Sequence, residues 1–399
     1  MGIFSLFKDP RLGILSAGNF VIGTSLYIVG GLLVELAAEF QVSIAKAGFL
    51  IAAFAITSVI AAPLFATLSA AVDRRKLLAA MLLVCAAANG AACLAQTYEQ
   101  LLVTRIVAAV ANAVFTPQAS AVLGLLVLPT QRTQATSAIM LGWSLATVLG
   151  IPLGVWVGHQ IGWRASFGLL ALLSLGAALL LWRLLPPGLH VPAVNLRIWL
   201  TVLRTPALML LIATSTIFAA GNHAFFSYFA PTISDLRPSE PGLLSALLLT
   251  YGLAAIASNL LAILLMDRLG LEKIIRLWGL IPIVVFALWP LLSPWLYALF
   301  ALQLLWGLGS AGFNGLQQAR LAAVAPALAT ASIALNSSAF YLGQSSGTLL
   351  GGAAWEVVGG RYLPWVGLGL LIVAMLLSRK GRHAARKLRM NEVARLPPE

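Results

Sequence analysis

The sequence is poor in acid. Of its 399 residues only 12 are Asp or Glu, and charged residues of both signs make up 9%. With 60% of the chain hydrophobic, a water-facing surface of this size cannot be built, which excludes a soluble globular fold. Cysteine is scarcer still: Cys85 and Cys93 are the only two, in one apolar stretch about 12 Å apart by the helical rise, too far for a disulfide and without metal-ligand spacing. No G-x-x-x-x-G-K loop, no cluster of His, Cys, Asp and Glu, and no Ser/His/Asp arrangement occurs. Nucleotide hydrolysis, a metal, any other cofactor and enzymatic activity are therefore not expected. No small-residue cleavage pattern accompanies the first apolar run, which is expected to be kept rather than removed as a signal peptide.

What the chain has is apolar length. Runs at 12–36, 46–70, 77–97, 101–128, 135–160, 165–185, 206–232, 242–266, 274–293, 296–320, 331–357 and 362–378 can each cross a hydrocarbon core of about 30 Å as a helix. The expected fold is an all-α membrane protein with twelve transmembrane helices. A net charge of +13 invites a nucleic-acid reading, but its distribution refuses it. Of the 25 Lys and Arg, only Lys46, Arg164, Arg237 and Arg361 fall on the side opposite the amino terminus, and Arg105 lies inside a run. That asymmetry is the positive-inside rule and puts both termini in the cytoplasm. The basic tail is expected beside anionic lipid headgroups, with no nucleic acid as partner.

The stretch "PPGLHVPAVNLRIWLTVLRTP" is the longest break between runs and separates six from six. Sliding the halves by 197 residues lays Gly150 on Gly347, Gly154 on Gly351 and Arg164 on Arg361; a shift of 194 lays Asp73 and Arg74 on Asp267 and Arg268. The organisation expected is two pseudo-symmetric six-helix bundles, 1–185 and 206–378, joined by a cytoplasmic linker at 186–205 and followed by a basic cytoplasmic tail at 379–399. Glycines spaced by four line one helix face, so Gly150 and Gly154, with Pro152 bending the helix between them, and Gly347 with Gly351 are expected either as sliding contacts between the halves or as ordinary close packing. Asp73, Arg74, Arg75, Asp267 and Arg268 are the matching loop charges with a gating role.

Polar groups inside the runs are the candidates for function. Arg105 shares a helical face with Asn112 and Thr116. Either it snorkels to the headgroups, or it faces a cavity between the halves and attracts an anion or biases protonation. His223 either titrates or is packed against a backbone carbonyl. Asn19, Asn222, Phe226, Asn314, Gln317 and Asn336 offer amides and an aromatic face suited to hydroxyl-rich ligands, or serve as interhelical glue. No acidic residue falls mid-run, Glu35 and Glu356 lying at run ends. A desolvated cation needs a counter-charge, so a neutral, anionic or zwitterionic substrate is expected over a cationic one. Arg105, His223 and Glu35 remain the candidates for proton coupling.

The stretches "GTSLYIVGGLLVELAAEFQVS", "PLFATLSAAVDRRKLL", "TRIVAAVANAVFTPQASA", "SLATVLGIPLGVWVGHQIGWRASF" and "RTPALMLL" carry a resemblance that spans almost the whole chain. It is to the major facilitator superfamily, in its twelve-helix drug:proton antiporter branch, and within that to bacterial sugar-efflux and arabinose-efflux permeases. The resemblance implies a multi-pass protein of the bacterial inner membrane that exports a small molecule by alternating access, as a proton antiporter and as a monomer among membrane lipids. Leu101 and Arg105 match the family's L-x-x-x-R. Two departures stand out. Ala70 and Ala71 occupy the place of an Asp-Arg pair, and Leu26 with Tyr27 stand where sugar-efflux relatives carry an acid before Phe, which makes Tyr27 a substrate-binding candidate. Export of a siderophore or other metabolite, and uncoupled facilitation, are the alternatives within transport. A membrane-embedded sensor or enzyme on the same fold is the alternative outside it.

Overall fold

The computed structural model describes residues 9–69, 72–128, 131–190, 196–238, 240 and 242–393. Ala70 and Ala71 lie outside them. The described chain is built of helices, as a backbone in hydrocarbon must be when no water is present to satisfy its N–H and C=O groups. In order these are α1 (Pro10–Gly31), α2 (Leu33–Glu39), α3 (Ile44–Leu68), α4 (Arg74–Cys93), α5 (Tyr98–Leu126), α6 (Arg132–Leu145), a π-helical turn (Ala146–Gly150), α7 (Ile151–Ile161) and α8 (Trp163–Leu184). There follow α9 (Leu196–Leu203), α10 (Pro206–Phe226), α11 (Phe229–Leu236), α12 (Leu243–Leu269), α13 (Leu271–Leu292), α14 (Leu296–Ser310), α15 (Phe313–Val324) and α16 (Ala329–Val393). Local signals set the ends: Asp9, Asp73 and Thr97 each cap a helix by accepting a backbone N–H, and Pro10 occupies the first turn of α1, where no N–H is needed.

Among the described residues eleven stretches are long and apolar enough to cross a membrane. The last of them, Pro326–Arg386, takes in both the eleventh and twelfth runs and would be about 90 Å long as one straight helix, far more than a bilayer needs. Gly359 interrupts it with φ +68, a conformation that side-chain-bearing residues rarely adopt. The other interruptions also have causes. Pro152 has no N–H to donate and its ring crowds the carbonyl of Val148, and the wide π turn immediately before α7 accommodates both.

The chain divides into two compact units. The first comprises 1–194 and 227–252, the second 195–226 and 253–399. The segment 227–252 thus belongs with the amino-terminal helices, although it lies beyond the linker. Small residues let it approach: the Tyr228 ring fills the space above Gly48, and Gly252 rests on the backbone of Thr147 and Val148 in the π turn. Each unit has its own apolar interior, one around Leu15, Leu82, Phe115 and Leu181, another around Leu208, Leu211, Leu321 and Ala385.

The glycine faces lie close against neighbouring helices. A side chain at Gly150 or Gly154 would meet Thr24 or Ile28 of α1, and one at Gly347 or Gly351 would meet the carbonyls of Ala220 or Ala224 of α10. The paired arginines also do equivalent work in their own units: Arg164 donates to the Ala95 carbonyl (3.0 Å) beyond the end of α4, and Arg361 to the Pro290 carbonyl (2.9 Å) near the end of α13.

Candidate functional site

In the first unit, α4, α5 and α8 close around Arg105. It is 0% exposed, so in this structure its side chain is enclosed by protein and does not lie open on the surface as snorkelling requires. Its guanidinium donates to Asn89 Oδ1 (2.9 Å) and to the Ser25 carbonyl (3.3 Å), and lies 4.7 Å from the centre of the Phe167 ring. Asn89 is fixed in turn, its Nδ2 donating to the Cys85 carbonyl at 2.9 Å and Ser25 Oγ donating to its Oδ1 at 3.1 Å. Among the described residues no carboxylate pairs with Arg105, so a cation taken out of water is held by neutral acceptors and a ring face. Asn112, placed by the sequence on the same face, donates to Ser58 Oγ (3.3 Å).

A second polar group in that unit centres on Asn19. Its Oδ1 accepts from Thr116 Oγ1 (2.8 Å), its Nδ2 donates to the Ile139 carbonyl (3.0 Å), and Thr116 also accepts from Trp143 Nε1 (3.3 Å). Tyr27 meets Trp143 edge to face at 6.3 Å. Tyr27, Thr116 and Trp143 keep partial exposure, so a hydroxyl and two aromatic faces are presented together.

The second unit holds a cluster of aromatic rings and an amide. Asn222 Oδ1 accepts from Trp306 Nε1 (2.9 Å) and Ser310 Oγ (2.6 Å), while its Nδ2 donates to the Phe218 carbonyl (3.1 Å). Phe225 stacks on Trp306 at 5.0 Å, and Phe226 meets the same indole edge to face at 5.8 Å. His223 stands between Phe226 and Phe340, and its Nδ1 is 2.9 Å from the Ala219 carbonyl; a carbonyl only accepts, so Nδ1 carries the hydrogen. That is the geometry of the packed reading. Asn336 donates to Asn314 (3.0 Å). Gln317 is fully buried, and neither its Oε1 nor its Nε2 has a hydrogen-bond partner among the described residues; Gln303 and Gln344 share this condition. Sequence reasoning missed Asn89 and Ser310. A polar residue in an apolar run was the available signal for Asn89, but nothing local says that its partner is an arginine on another helix.

The loop charges act as anchors. Asp73 caps α4 through Arg75 N–H (2.8 Å) and accepts from Gly188 N–H (2.6 Å) in the segment after α8. Burial pushes its carboxyl up, but these two backbone donors and the nearby cationic groups outweigh that and hold it below the ordinary carboxylate range. Arg74 is buried, donating to the carbonyls of Ser69 and Val72, and Arg75 lies over the Trp182 ring at 4.6 Å. The side chain of Asp267 lies outside the described residues, and Arg268 is exposed. The tie in the second unit is elsewhere, where Arg320 grips both oxygens of Glu272 (2.7 and 2.9 Å) and donates to Ser378 Oγ (2.9 Å). Glu35, the acid at the end of the first run, is bonded to His159. The described residues hold no group of three or more His, Cys, Asp and Glu that could bind a metal ion.

The family model described as Major Facilitator Superfamily matches residues 15–249 and 222–394. Among curated proteins, the chain is 27% identical over 391 residues to a probable sugar efflux transporter of Pasteurella multocida, covering 96% of each chain. It is 28% identical over 370 residues to a chloramphenicol resistance protein of Streptomyces lividans, covering 92% of this chain and 94% of that one. Among solved structures, a bacterial homologue of the human lysosomal transporter Spinster, inward-facing and unoccupied, superposes with a TM-score of 0.77 at 15% identity, over 98% of this chain and all of the other.

Proposed function

The chain belongs to the major facilitator superfamily, and from that premise we propose that it is a secondary active transporter that exports a neutral, sugar-like small molecule by alternating access in exchange for protons. It is a multi-pass membrane protein; we further propose twelve spans, the break at Gly359 separating the last two, with both termini on the cytoplasmic side of a bacterial inner membrane and the monomer as the working unit.

The observation that carries the substrate class is the chemistry of the second-unit cluster. Asn222 with Ser310, and Asn314 with Asn336, supply amides and a hydroxyl, and Phe226, Trp306 and Phe340 supply faces and edges; among the described residues no carboxylate is hydrogen-bonded to Asn222, Ser310, Asn314 or Asn336. Hydroxyl-rich ligands are bound by neutral donors and acceptors together with stacking surface, whereas a desolvated organic cation requires an anion. The relatives named as sugar efflux transporters support the same class. A second reading, export of a neutral amphipathic compound, is supported by the relative named for chloramphenicol resistance.

Proteoliposomes with an imposed pH gradient test both readings, with labelled arabinose, labelled chloramphenicol and a lipophilic phosphonium cation as probes. Flux of arabinose or chloramphenicol that collapses with the pH gradient is expected. Faster transport of the phosphonium would overturn the substrate class, and flux indifferent to the gradient would overturn proton exchange.

A further inference from the structure

Glu35 and His159 stand apart from the clusters described above. Glu35 lies in α2, the short helix that continues the first run beyond the break at Leu32, and His159 lies in the last turn of α7, where the free carbonyls of a helix end favour a cation. His159 Nε2 is 2.6 Å from Glu35 Oε1, and their side chains are 31% and 29% exposed, so the pair is mostly enclosed but not sealed off. The second carboxylate oxygen, Oε2, is buried and has no hydrogen-bond partner among the described residues.

The surrounding elements bring other charges, and the pairs they form leave this one to itself. Arg164 of α8 is engaged by Glu39 of α2 at 2.7 Å, Lys46 of α3 lies over the Tyr98 ring at 5.0 Å, and Arg11 of α1 pairs with Asp9 at 2.7 Å. Asp235 of α11 is exposed, and Arg183 sits in the far turn of α8. Among the described residues none of these lies within 4.0 Å ion-pair reach of Glu35 or His159.

We propose that Glu35 and His159 form a proton-binding site that fastens α2 to the end of α7, at the end of the unit opposite the Asp73 anchor. This rests on the proton-exchange reading and gives it a place in a chain without a mid-membrane acid. With the imidazole protonated, Nε2–H is held by a carboxylate of opposite charge and α2 is fixed. Loss of that one proton to water leaves a neutral imidazole and an uncompensated carboxylate, and the attraction between α2 and α7 is lost. Because α11 packs on α1 and α2 within the same unit, one proton gained or lost here acts on how α11 is held.

The test combines hydrogen–deuterium exchange of the segment 33–40, corrected for intrinsic exchange, with the arabinose and chloramphenicol flux assay, both in proteoliposomes between pH 5.5 and 8.5. Wild type, Glu35→Gln, His159→Gln and the double variant are compared, with His383→Gln, an exposed histidine at the other end of the chain, as control. Protection of α2 in wild type is expected to fall about two- to fivefold as pH rises through the imidazole range, the size of a partly exposed ion pair. Either single variant should show the low protection at every pH, the double variant should be no worse, and His383→Gln should follow wild type. Flat protection in wild type, or a retained response in His159→Gln, overturns the site. A pH response in α2 without gradient-driven flux supports the site while defeating the proton-exchange reading, and gradient-driven flux with flat protection does the reverse.

Discussion

A guanidinium that cannot reach water must be satisfied where it lies, and Arg105 is satisfied by an amide, a carbonyl and a ring rather than by an acid. Asn89 is the pivot, since its one oxygen accepts from both Arg105 and Ser25. Asn89→Leu is therefore expected to destabilise the detergent-solubilised protein by about 1.5–3 kcal/mol, the worth of a hydrogen bond to a charged group, plus the penalty of leaving the cation short of acceptors. Combined with Arg105→Met the loss should be much smaller than the sum of the single losses, because the cation that needed the acceptor is gone. Additive losses in a thermal or denaturant double-mutant cycle would show that the two residues do not act together.

Between elements the small residues decide how closely helices lie. Gly347 faces a backbone carbonyl of α10, which cannot rotate away, whereas Gly150 faces the side chain of Thr24, which can turn. Gly347→Ala is expected to cost about 1–3 kcal/mol, as overpacked sites do, and Gly150→Ala less; Gly315→Ala, with open space around it, serves as the neutral control. Equal melting temperatures for all three would contradict this packing. At the linker, Asp73 ties α4 to Gly188, which sits at φ +83, and the sign of its pH dependence follows from its lowered carboxyl. A group depressed in the folded state contributes above its unfolded value of about 4 and loses that contribution as pH falls through the lower folded value. Amide exchange at Gly188 should accordingly be constant between pH 5 and 8 after correction for intrinsic rates. In Asp73→Asn it should be faster by the same factor across that window. A gap between the two proteins that closes within it would place the carboxyl's titration higher than the geometry implies.

At the scale of the whole molecule the open quantity is topology. Fusions of a cytoplasm-dependent fluorescent protein and a periplasm-dependent phosphatase after residue 378 and near Gly359 check it. Fluorescence at the first point and phosphatase activity at the second are expected for twelve spans; the opposite pattern would mean an odd number. The spans were legible because each apolar run has to satisfy its backbone as a helix. Gly150, Gly154, Gly347 and Gly351 were legible as close-packing faces, yet spacing shows only that a face is narrow; that α1 lies against the first pair and α10 against the second is settled by the fold. Glu35 drew attention as an acid at a run end, while His159 did not, since nothing in its own neighbourhood marks it as the partner.

The sequence by itself determined that the chain lies in a membrane and is built of apolar helices, because transfer from water to hydrocarbon acts on each residue separately and sums along a run. Only the tertiary structure decided that Arg105 meets Asn89, that Asn222 meets Trp306 and that Glu35 meets His159. Pairing of polar groups between helices depends on which helices pack and in what rotation, and that is fixed by the fit of many side chains at once.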